Sequence, residues 1–252
     1  MMKQKEISVC ILTKNNARTI GNCLNALHHE KFFDEILLLD TGSTDETLKI
    51  VSRFPIVSVF HQDGIQNFGE TRNFISSLAK NDWLLHIDSD EILSQGFISE
   101  LNQLVLDPNT VYEMSFRMFY RGRQLPGFDT RTRRMYNRAV TSWNNRAVHE
   151  VVNIPEGIKL KRINSFVEHH SYDSCEQLIQ KAQNYSTLFA DQFSERKSAT
   201  PWTATLHGAW AFFRLYFLKR NCLRGYAGFI TSVCFSITSF LKYTKLYERN
   251  NR

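Results

Sequence analysis

The stretch that most constrains this chain is Trp83–Leu93, WLLHIDSDEIL, in which a mostly apolar run leads directly into a cluster of carboxylates. The first five residues have the composition of a strand buried on both faces, interrupted only by His86. Three acidic residues follow, namely Asp88, Asp90 and Glu91. Because carboxylates are not buried without a partner, the stretch predicts a buried strand whose acidic end meets positive charge.

Strand and helix patterns alternate along the first ninety residues. Strands are predicted at ISVCILT (7–13), EILLLD (35–40), VSVFHQ (57–62) and WLLHID (83–88). Helices are predicted within NARTIGNCLNALHH (16–29), STDETLKIVSRF (43–54) and NFGETRNFISSLAK (67–80). The second of these helices opens with Ser43 three residues before Glu46, the pattern of a capping box.

This alternation predicts an α/β fold with right-handed crossovers and a mainly parallel sheet covered on both faces. Ligands of such sheets bind beyond the carboxyl ends of the strands. Thr13, Asp40 and Asp88 all fall at strand ends, so we expect these three side chains at one edge of the sheet.

The pattern changes after Pro108. Residues 110–125 alternate as a strand, an Arg-rich loop follows, and helices dominate from about Ser174. Gly225–Leu241 carries no charge but is shorter than the roughly 20 residues of a spanning helix, so a helix in a membrane interface and a buried core helix both remain open. These changes predict three regions, residues 1–105, 106–172 and 173–252.

The net charge and the cysteine pattern indicate which kinds of partner and which cellular compartment to expect. A formal net charge of +6 favours an acidic partner such as nucleic acid, anionic lipid or a phosphorylated small molecule. The five cysteines are scattered without a C-x-x-C pair, which argues against a disulfide framework or a zinc site and favours a reducing cytosol. The N-terminal residues lack the pattern of a signal peptide, so we do not expect export.

Asp88 and Asp90 could share a hard divalent cation, Mg²⁺ or Mn²⁺, if the turn after the strand bends both carboxylates toward it. An ion held in this way keeps open positions for phosphate oxygens and can stabilise a diphosphate leaving group. The alternative for an isolated D-x-D is an acidic turn in water that caps a helix.

Four blocks, ILTKNN (11–16), LLLDTGSTDET (37–47), GETRN (69–73) and the D-x-D, together resemble the nucleotide-binding half of glycosyltransferase family 2, inverting enzymes with the GT-A fold. The resemblance implies a Rossmann-like, mainly parallel sheet flanked by helices, with a helical C-terminal extension. It implies that Thr13 and Asn15 line the nucleoside pocket and that Asp40 meets the base or ribose. Many members carry a second carboxylate after the one at position 40, and this chain has Thr41 there.

The same resemblance places Arg72 beside the nucleotide and Asp88, Ser89 and Asp90 at the donor diphosphate, with the two aspartates holding the metal. Regions 1–105 and 106–172 would then be the nucleotide-sugar-binding half and the acceptor-binding, catalytic half of one GT-A domain. Region 173–252 would be a helical region that associates with membrane.

An inverting transfer also needs a base for the acceptor hydroxyl. Glu150 is the best candidate because it lies in an acid-poor, Arg-rich region, where a nearby Arg or metal would keep it ionised. The C-terminal half resembles a family 2 branch that builds the inner core of lipopolysaccharide, in which a His-Glu pair follows an Arg-rich stretch, here TRTRRMYNR (130–138). This likeness favours Glu150 as base, with His149 orienting it or contacting phosphate. Residues expected at acceptor or phosphate groups are Arg133, Arg134, His170, Tyr172 and Lys181.

The sequence thus predicts an inverting, metal-dependent glycosyltransferase that moves a hexose to a lipid-linked saccharide at the cytoplasmic face of the bacterial inner membrane. The branch implies UDP-glucose as donor and an inner-core heptose as acceptor, with galactose or N-acetylglucosamine transfer as alternatives. Nucleotidyltransferases and dinucleotide oxidoreductases are disfavoured because no Gly-rich phosphate loop follows the first strand. A non-catalytic membrane- or nucleic-acid-binding protein is the rival of another class, although the acidic strand end would repel nucleic-acid phosphates, so we expect no nucleic acid.

Overall fold

A computed structural model describes residues 6–28, 30–65, 67–145, 150–194 and 196–251. The described chain forms two compact units. The first contains the residues up to Arg117 together with Thr130–His169, and the second contains Met118–Asp129 and the residues from His170 onward. All five cysteines are free thiols.

The strands form one mixed sheet in the order β3-β2-β1-β4-β8-β6-β9-β5, and β7 pairs with β6. Their bounds are Ile7–Thr13 (β1), Glu35–Asp40 (β2), Val57–His61 (β3), Trp83–Asp88 (β4), Glu91–Leu93 (β5), Thr110–Tyr120 (β6), Arg123–Gln124 (β7), Thr130–Asn137 (β8) and Lys159–Tyr172 (β9). The first four strands are parallel, as predicted, and β8 runs antiparallel to both β4 and β6. The prediction of a loop for the Arg-rich segment is therefore wrong in part, because Thr130–Asn137 forms β8, which pairs with both β4 and β6.

Four helices accompany these strands in the first unit: Ile20–Asn25 (α1), Thr47–Val51 (α2), Phe68–Leu78 (α3) and Gln95–Gln103 (α4). Side chains of Asn67 and Ser94 cap α3 and α4 by accepting from backbone N–H groups of the first turn. The capping box predicted at Ser43 is wrong, since α2 begins after Glu46 and has no side-chain cap. The Ser43 hydroxyl instead accepts a hydrogen bond from the Asn15 backbone N–H at 2.9 Å.

The sheet of the first unit is covered on both faces, as the alternation predicted. Every residue of β1 is buried. Ile7, Val9 and Ile11 belong to one hydrophobic cluster, whereas Cys10 and Leu12 belong to another. Successive side chains of a strand point to opposite faces, so β1 is an interior strand with one core on each face. Its carboxyl end is thereby held rigidly.

Helices dominate the second unit, and the Ser174 side chain caps the first of them. These helices are Cys175–Phe193 (α5), Pro201–Phe213 (α6) and Gly225–Asn250 (α7), with a π-helical turn at Arg214–Leu218 and a 3₁₀ turn at Asn221–Arg224. The uncharged run from 225 to 241 forms most of α7, and its residues Ala227, Thr231 and Cys234 are buried. No helix in the described ranges is long and apolar enough to cross a membrane.

We expect Leu38→Ala to lower the free energy of unfolding by about 2–5 kcal/mol, because Leu38 is fully buried in β2 and its loss leaves a cavity in the core. Val105→Ala is the control, since Val105 is 78% exposed, and should change stability by less than about 0.5 kcal/mol. Urea unfolding followed by circular dichroism measures both. Equal effects of the two substitutions would contradict the placement of Leu38 in the core.

Candidate active site

The carboxyl ends of β1, β2 and β4 lie side by side, as the sequence predicted. Thr13 is in register with Asp40, and Leu12 is in register with Asp88. Thr13 and Asp40 are both buried. The Asp40 carboxylate accepts from the backbone N–H of Ser43 at 3.1 Å and so orders the loop after its own strand. Its contact with a base or ribose remains a prediction.

Two asparagines in the loop after β1 form hydrogen bonds to the loops after β2 and β4. Asn15 has a left-handed backbone (φ +50°) and is exposed, and its side-chain oxygen accepts from the Thr44 backbone N–H at 2.7 Å. The Asn16 amide donates to the hydroxyl of the buried Ser89 at 2.6 Å. The sequence prediction did not include Asn16. The pair of adjacent asparagines directly after a strand is the signal that could have indicated it. The structure thus assigns Ser89 a contact that joins the loops after β1 and β4.

Asp88 lies between two arginines. One carboxylate oxygen is 2.9 Å from Arg72 Nη2 and the other is 3.0 Å from Arg134 Nη2. Both arginine side chains are largely buried, whereas 31% of the Asp88 side chain is exposed. Burial by itself would raise the pKa of Asp88, but the charges and hydrogen bonds of Arg134 and Arg72 outweigh it and hold the pKa well below its usual range. The positive charge expected at the end of this strand is therefore present.

Glu150 joins the same cluster through Arg72. Its carboxylate oxygen is 3.2 Å from Arg72 Nε, and 16% of its side chain is exposed. The Arg72 guanidinium also lies 4.8 Å from the centre of the Trp143 ring. Glu150 therefore has an arginine beside it, and its role as base remains a prediction. His149, its predicted partner, lies outside the described residues.

The buried His86 of β4 is connected to Arg72 through the side chain of Ser76. Its Nε2 is 3.0 Å from the Ser76 hydroxyl, which donates to the Arg72 backbone carbonyl at 2.6 Å. Burial, reinforced by the charges of Arg72 and Arg134, lowers the pKa of His86 well below its ordinary value. His86 is therefore neutral and structural, which explains why a polar residue interrupts the apolar strand.

Glu91 is a second buried carboxylate beside Arg134. It accepts from the Asp88 backbone N–H at 2.8 Å, and its other oxygen is 3.6 Å from Arg134 Nη2. Burial raises the pKa of Glu91 to about 7, against the opposing charge of Arg134. Glu91 thus fixes the turn that carries Asp90.

Asp90 faces a histidine from β9. Its carboxylate oxygen is 3.3 Å from His169 Nε2, because the pairing of β5 with β9 sets Glu91 opposite His169. Burial would lower the pKa of His169, but the hydrogen bond and charge of Asp90 raise it. Sequence reasoning chose His170 from the His-His pair and did not anticipate that His169 would meet the D-x-D.

The other residues predicted to bind acceptor or phosphate divide between the two units. In the first unit, Arg133 donates to the Val152 carbonyl at 3.0 Å, so Arg134 is the member of this set that joins the carboxylate cluster. In the second unit, His170 stacks on Phe119 with ring centres 5.0 Å apart. There too Lys181 Nζ lies 4.7 Å from the centre of the Tyr172 ring. Their binding roles remain predictions.

The first unit suits an anionic ligand together with a divalent cation. A carboxylate oxygen and an imidazole nitrogen are ligands that Mn²⁺ accepts, and Asp90 and His169 present both. In the described part of the chain, no group of three or more His, Cys, Asp or Glu side chains is arranged to hold a metal ion. Three buried polar atoms nearby have no hydrogen-bond partner among the described residues, namely Thr13 Oγ1, Arg72 Nη1 and Arg134 Nη1. Buried unpaired donors of this kind are satisfied by phosphate oxygens or water.

An α/β sheet with such a site at its carboxyl edge is typical of enzymes that bind nucleotides or nucleotide sugars. The model of the family described as glycosyl transferase family 2 matches residues 8–157, more than half of the chain. The protein therefore belongs to glycosyl transferase family 2.

Similar proteins agree with this membership. The chain is 29% identical to an uncharacterized glycosyltransferase of Rickettsia prowazekii over 97% of this chain and 87% of that protein. It is 26% identical to the lipopolysaccharide core biosynthesis glycosyltransferase LpsC of Rhizobium meliloti over 99% and 95% of the two chains. A mannosyltransferase from Pyrobaculum calidifontis, solved in complex with GDP-Man and Mn²⁺, superposes with a TM-score of 0.53 at 13% identity, covering 95% of this chain and 86% of that chain. The fold is GT-A, as the sequence predicted.

We expect Arg134→Met to lower the free energy of unfolding by about 2 kcal/mol, because it leaves the Glu91 and Asp88 carboxylates short of a cation. The effect is below that of a fully buried pair because Asp88 is partly exposed and keeps Arg72. Arg131→Met, at an exposed position of the same strand, should be nearly neutral. Chemical unfolding measures both variants, and an Arg134→Met protein as stable as the parent would contradict the ion-pair arrangement.

Proposed function

We propose that this glycosyltransferase transfers one hexose from a nucleotide sugar to a lipid-linked saccharide, with inversion at the anomeric carbon. The observation that carries the proposal is the continuous cluster of Asp88, Arg72 and Glu150 at the carboxyl edge of the sheet. It joins the D-x-D, where a donor diphosphate would bind, to a carboxylate able to accept a proton from an attacking hydroxyl. One strongly paired carboxylate and one candidate base thus share a single arginine.

The donor would be UDP-glucose, and the acceptor a heptose of the lipopolysaccharide or lipooligosaccharide inner core at the cytoplasmic face of the inner membrane. Support for the acceptor class comes from the full-length similarity to LpsC, whose name places it in lipopolysaccharide core biosynthesis. Support for glucose comes only from the branch that the Arg-rich and His-Glu segments resemble. Transfer of galactose or N-acetylglucosamine to another glycan is the alternative.

In this proposal Asp90 and His169 would hold Mn²⁺, because they are the carboxylate and imidazole that already face each other, whereas Mg²⁺, which takes oxygen ligands, would use Asp90 and donor oxygens. The bound ion would supply positive charge to the donor diphosphate as it leaves. Asp88, predicted from sequence as a second ligand, has both oxygens on arginines in this structure. We therefore propose that Asp88 positions Arg72 and Arg134, whose unpaired Nη1 groups would bind anionic oxygens of the donor.

Glu150 is proposed as the general base. Its 3.2 Å contact with Arg72 Nε fixes the orientation of the carboxylate, and general-base catalysis needs a base held in one position. Arg72 is in turn fixed by the Trp143 ring, whose centre is 4.8 Å from its guanidinium carbon, and by the ion pair with Asp88. The acceptor hydroxyl would lose its proton to Glu150 while its oxygen forms the bond to the anomeric carbon and the diphosphate departs.

Metal-dependent donor binding tests the first half of the proposal and separates it from the non-catalytic alternative. With UDP at about 100 times its Kd and Mn²⁺ present, the melting temperature should rise by about 5–10 °C, and EDTA should abolish the rise. Asp90→Asn should lose most of this stabilisation, whereas Asp129→Asn, at an exposed position, should retain it. A rise that is independent of metal, or unchanged in Asp90→Asn, would contradict the assigned metal site.

Turnover tests the second half. Glu150→Gln should reduce kcat by about 100-fold or more, since general-base catalysis contributes about that much, and should still bind UDP with Mn²⁺. Glu156→Gln, at an exposed position six residues later, is the matched control and should keep full turnover. The assay incubates a panel of sugar nucleotides with core-truncated lipopolysaccharide and reads product mass and anomeric configuration. Full activity of Glu150→Gln would refute the base, and a product that retains the donor configuration would refute inversion.

A further inference from the structure

Helix α6 has its small residues inside and its large apolar residues outside. The residues that it buries within the second unit are Ala204, Gly208 and Ala211. Five large apolar residues are exposed on α6 and the π-helical turn that continues it: Trp202 (78% exposed), Leu206 (66%), Trp210 (56%), Phe213 (46%) and Phe217 (51%). Their spacing of three or four residues places them on one stripe, which we call the outer apolar face.

Close packing against α7 explains why the inside of α6 is small. A Cβ added to Gly208 would lie 3.1 Å from Phe240 Cβ, so a larger residue would push the helices apart. The Ser236 hydroxyl also donates to the Gly208 carbonyl at 2.8 Å, which requires the two backbones to be near each other. The outward position of the large residues does not follow from this packing. It needs its own explanation.

The outer apolar face is unlike the surface of a helix that faces water. Such a helix normally carries charged residues on its solvent side, yet α6 contains no Asp, Glu, Lys or Arg. The exposed rings are also continuous, since Trp210 lies 5.9 Å from Phe213 and Phe213 lies 5.5 Å from Phe217. Contiguous exposed apolar surface of this kind marks a site of interaction.

The charge next to this face is of one sign. From residue 196 to residue 247 the sequence contains no Asp or Glu. Four exposed cationic residues lie within or soon after the segment that carries the outer apolar face, namely Arg214, Lys219, Arg220 and Arg224. A helix with Trp, Phe and Leu on one face, accompanied by Lys and Arg and by no acid, suits the interface of a bilayer that contains anionic lipids.

A second copy of the chain fits the same surface poorly. In a two-fold dimer the same patch meets itself, so these four cations would approach their own counterparts. The acid-free segment offers no carboxylate to pair with them. Anionic phosphate headgroups supply the missing charge, and the acyl region accepts the indole and phenyl rings.

We propose that the outer apolar face of α6, with the adjoining cations, docks this protein on an anionic lipid bilayer. The uncharged run 225–241 lies in α7, which buries Ala227, Thr231 and Cys234 within the second unit but leaves Tyr226, Phe229 and Phe240 exposed. The inference deepens the proposed function, because a lipid-linked acceptor is met at a bilayer. Its test needs no catalysis, so the two can fail separately.

Flotation of the full-length chain with vesicles tests the proposal. The protein should float with phosphatidylglycerol-containing vesicles, and should bind pure phosphatidylcholine vesicles at least about tenfold more weakly. Trp202→Ser/Trp210→Ser should lower partitioning onto the anionic vesicles by at least about tenfold, because two exposed indoles no longer enter the interface. The two Trp residues that remain are Trp143, which is buried, and Trp83, which lies on β4 of the first unit, so the blue shift of Trp fluorescence on vesicle binding should also largely disappear in this variant.

A matched pair controls for a general loss of exposed aromatic surface. Phe213 and Phe74 are equally exposed, at 46% and 45%, but Phe74 lies on α3 of the first unit. Phe213→Ser should weaken vesicle binding severalfold, and Phe74→Ser should leave it unchanged. If the tryptophan variant fails to fold, Arg214→Glu/Arg224→Glu replaces it and should abolish the preference for anionic vesicles.

Three results would overturn the inference: absence of vesicle binding, binding that the α6 variants leave intact, or a concentration-dependent dimer that these variants dissociate while lipid has no effect. Activity on a soluble, delipidated acceptor distinguishes the proposals. If that activity persists without vesicle binding, the docking inference fails and the proposed function stands. If vesicle binding depends on α6 but no sugar nucleotide is used, the proposed function fails and the docking inference stands.

Discussion

The double ion pair of Asp88 with Arg72 and Arg134 is the interaction on which the rest of the site depends. Removing a carboxylate from water costs several kcal/mol unless cations and hydrogen bonds replace the solvent. The three side chains come from β4, α3 and β8, so the compensation exists only when the sheet and its covering helix are assembled. The ion pairs at the acidic end of β4 therefore depend on the assembled fold.

This arrangement also divides the work of the two aspartates in the D-x-D. Asp88 is held by arginines on both oxygens, whereas Asp90 meets His169 across the β5–β9 ladder. In the proposal the ion would therefore be bound by Asp90, and Asp88 would not be a ligand. Arg72 also contacts Glu150, so the geometry of the proposed base and that of the proposed donor site depend on one side chain.

The second unit follows a different principle. Its helices α6 and α7 approach closely because Gly208 faces Phe240, and the bulky residues of α6 are left on the outside. Both helices contain uncharged runs, so hydropathy alone could not tell which of them is exposed. The most exposed ring on either helix, that of Trp202 at 78%, lies on the shorter helix α6, although α7 also exposes rings such as Tyr226 at 60%.

The sequence by itself determined the parallel strands, their intervening helices and the family, because apolar periodicity and short motifs are local properties of the chain. It also brought Asp88, Arg72 and Glu150 into one proposed site. Its predictions were wrong where a contact joins residues distant in the chain. Ser43 accepts a hydrogen bond from Asn15 instead of capping α2, and the Arg-rich segment forms a strand instead of a loop. Which histidine meets Asp90, and which face of which helix stays bare, was decided only by tertiary structure, since strand register and helix packing set those contacts between residues far apart in the chain.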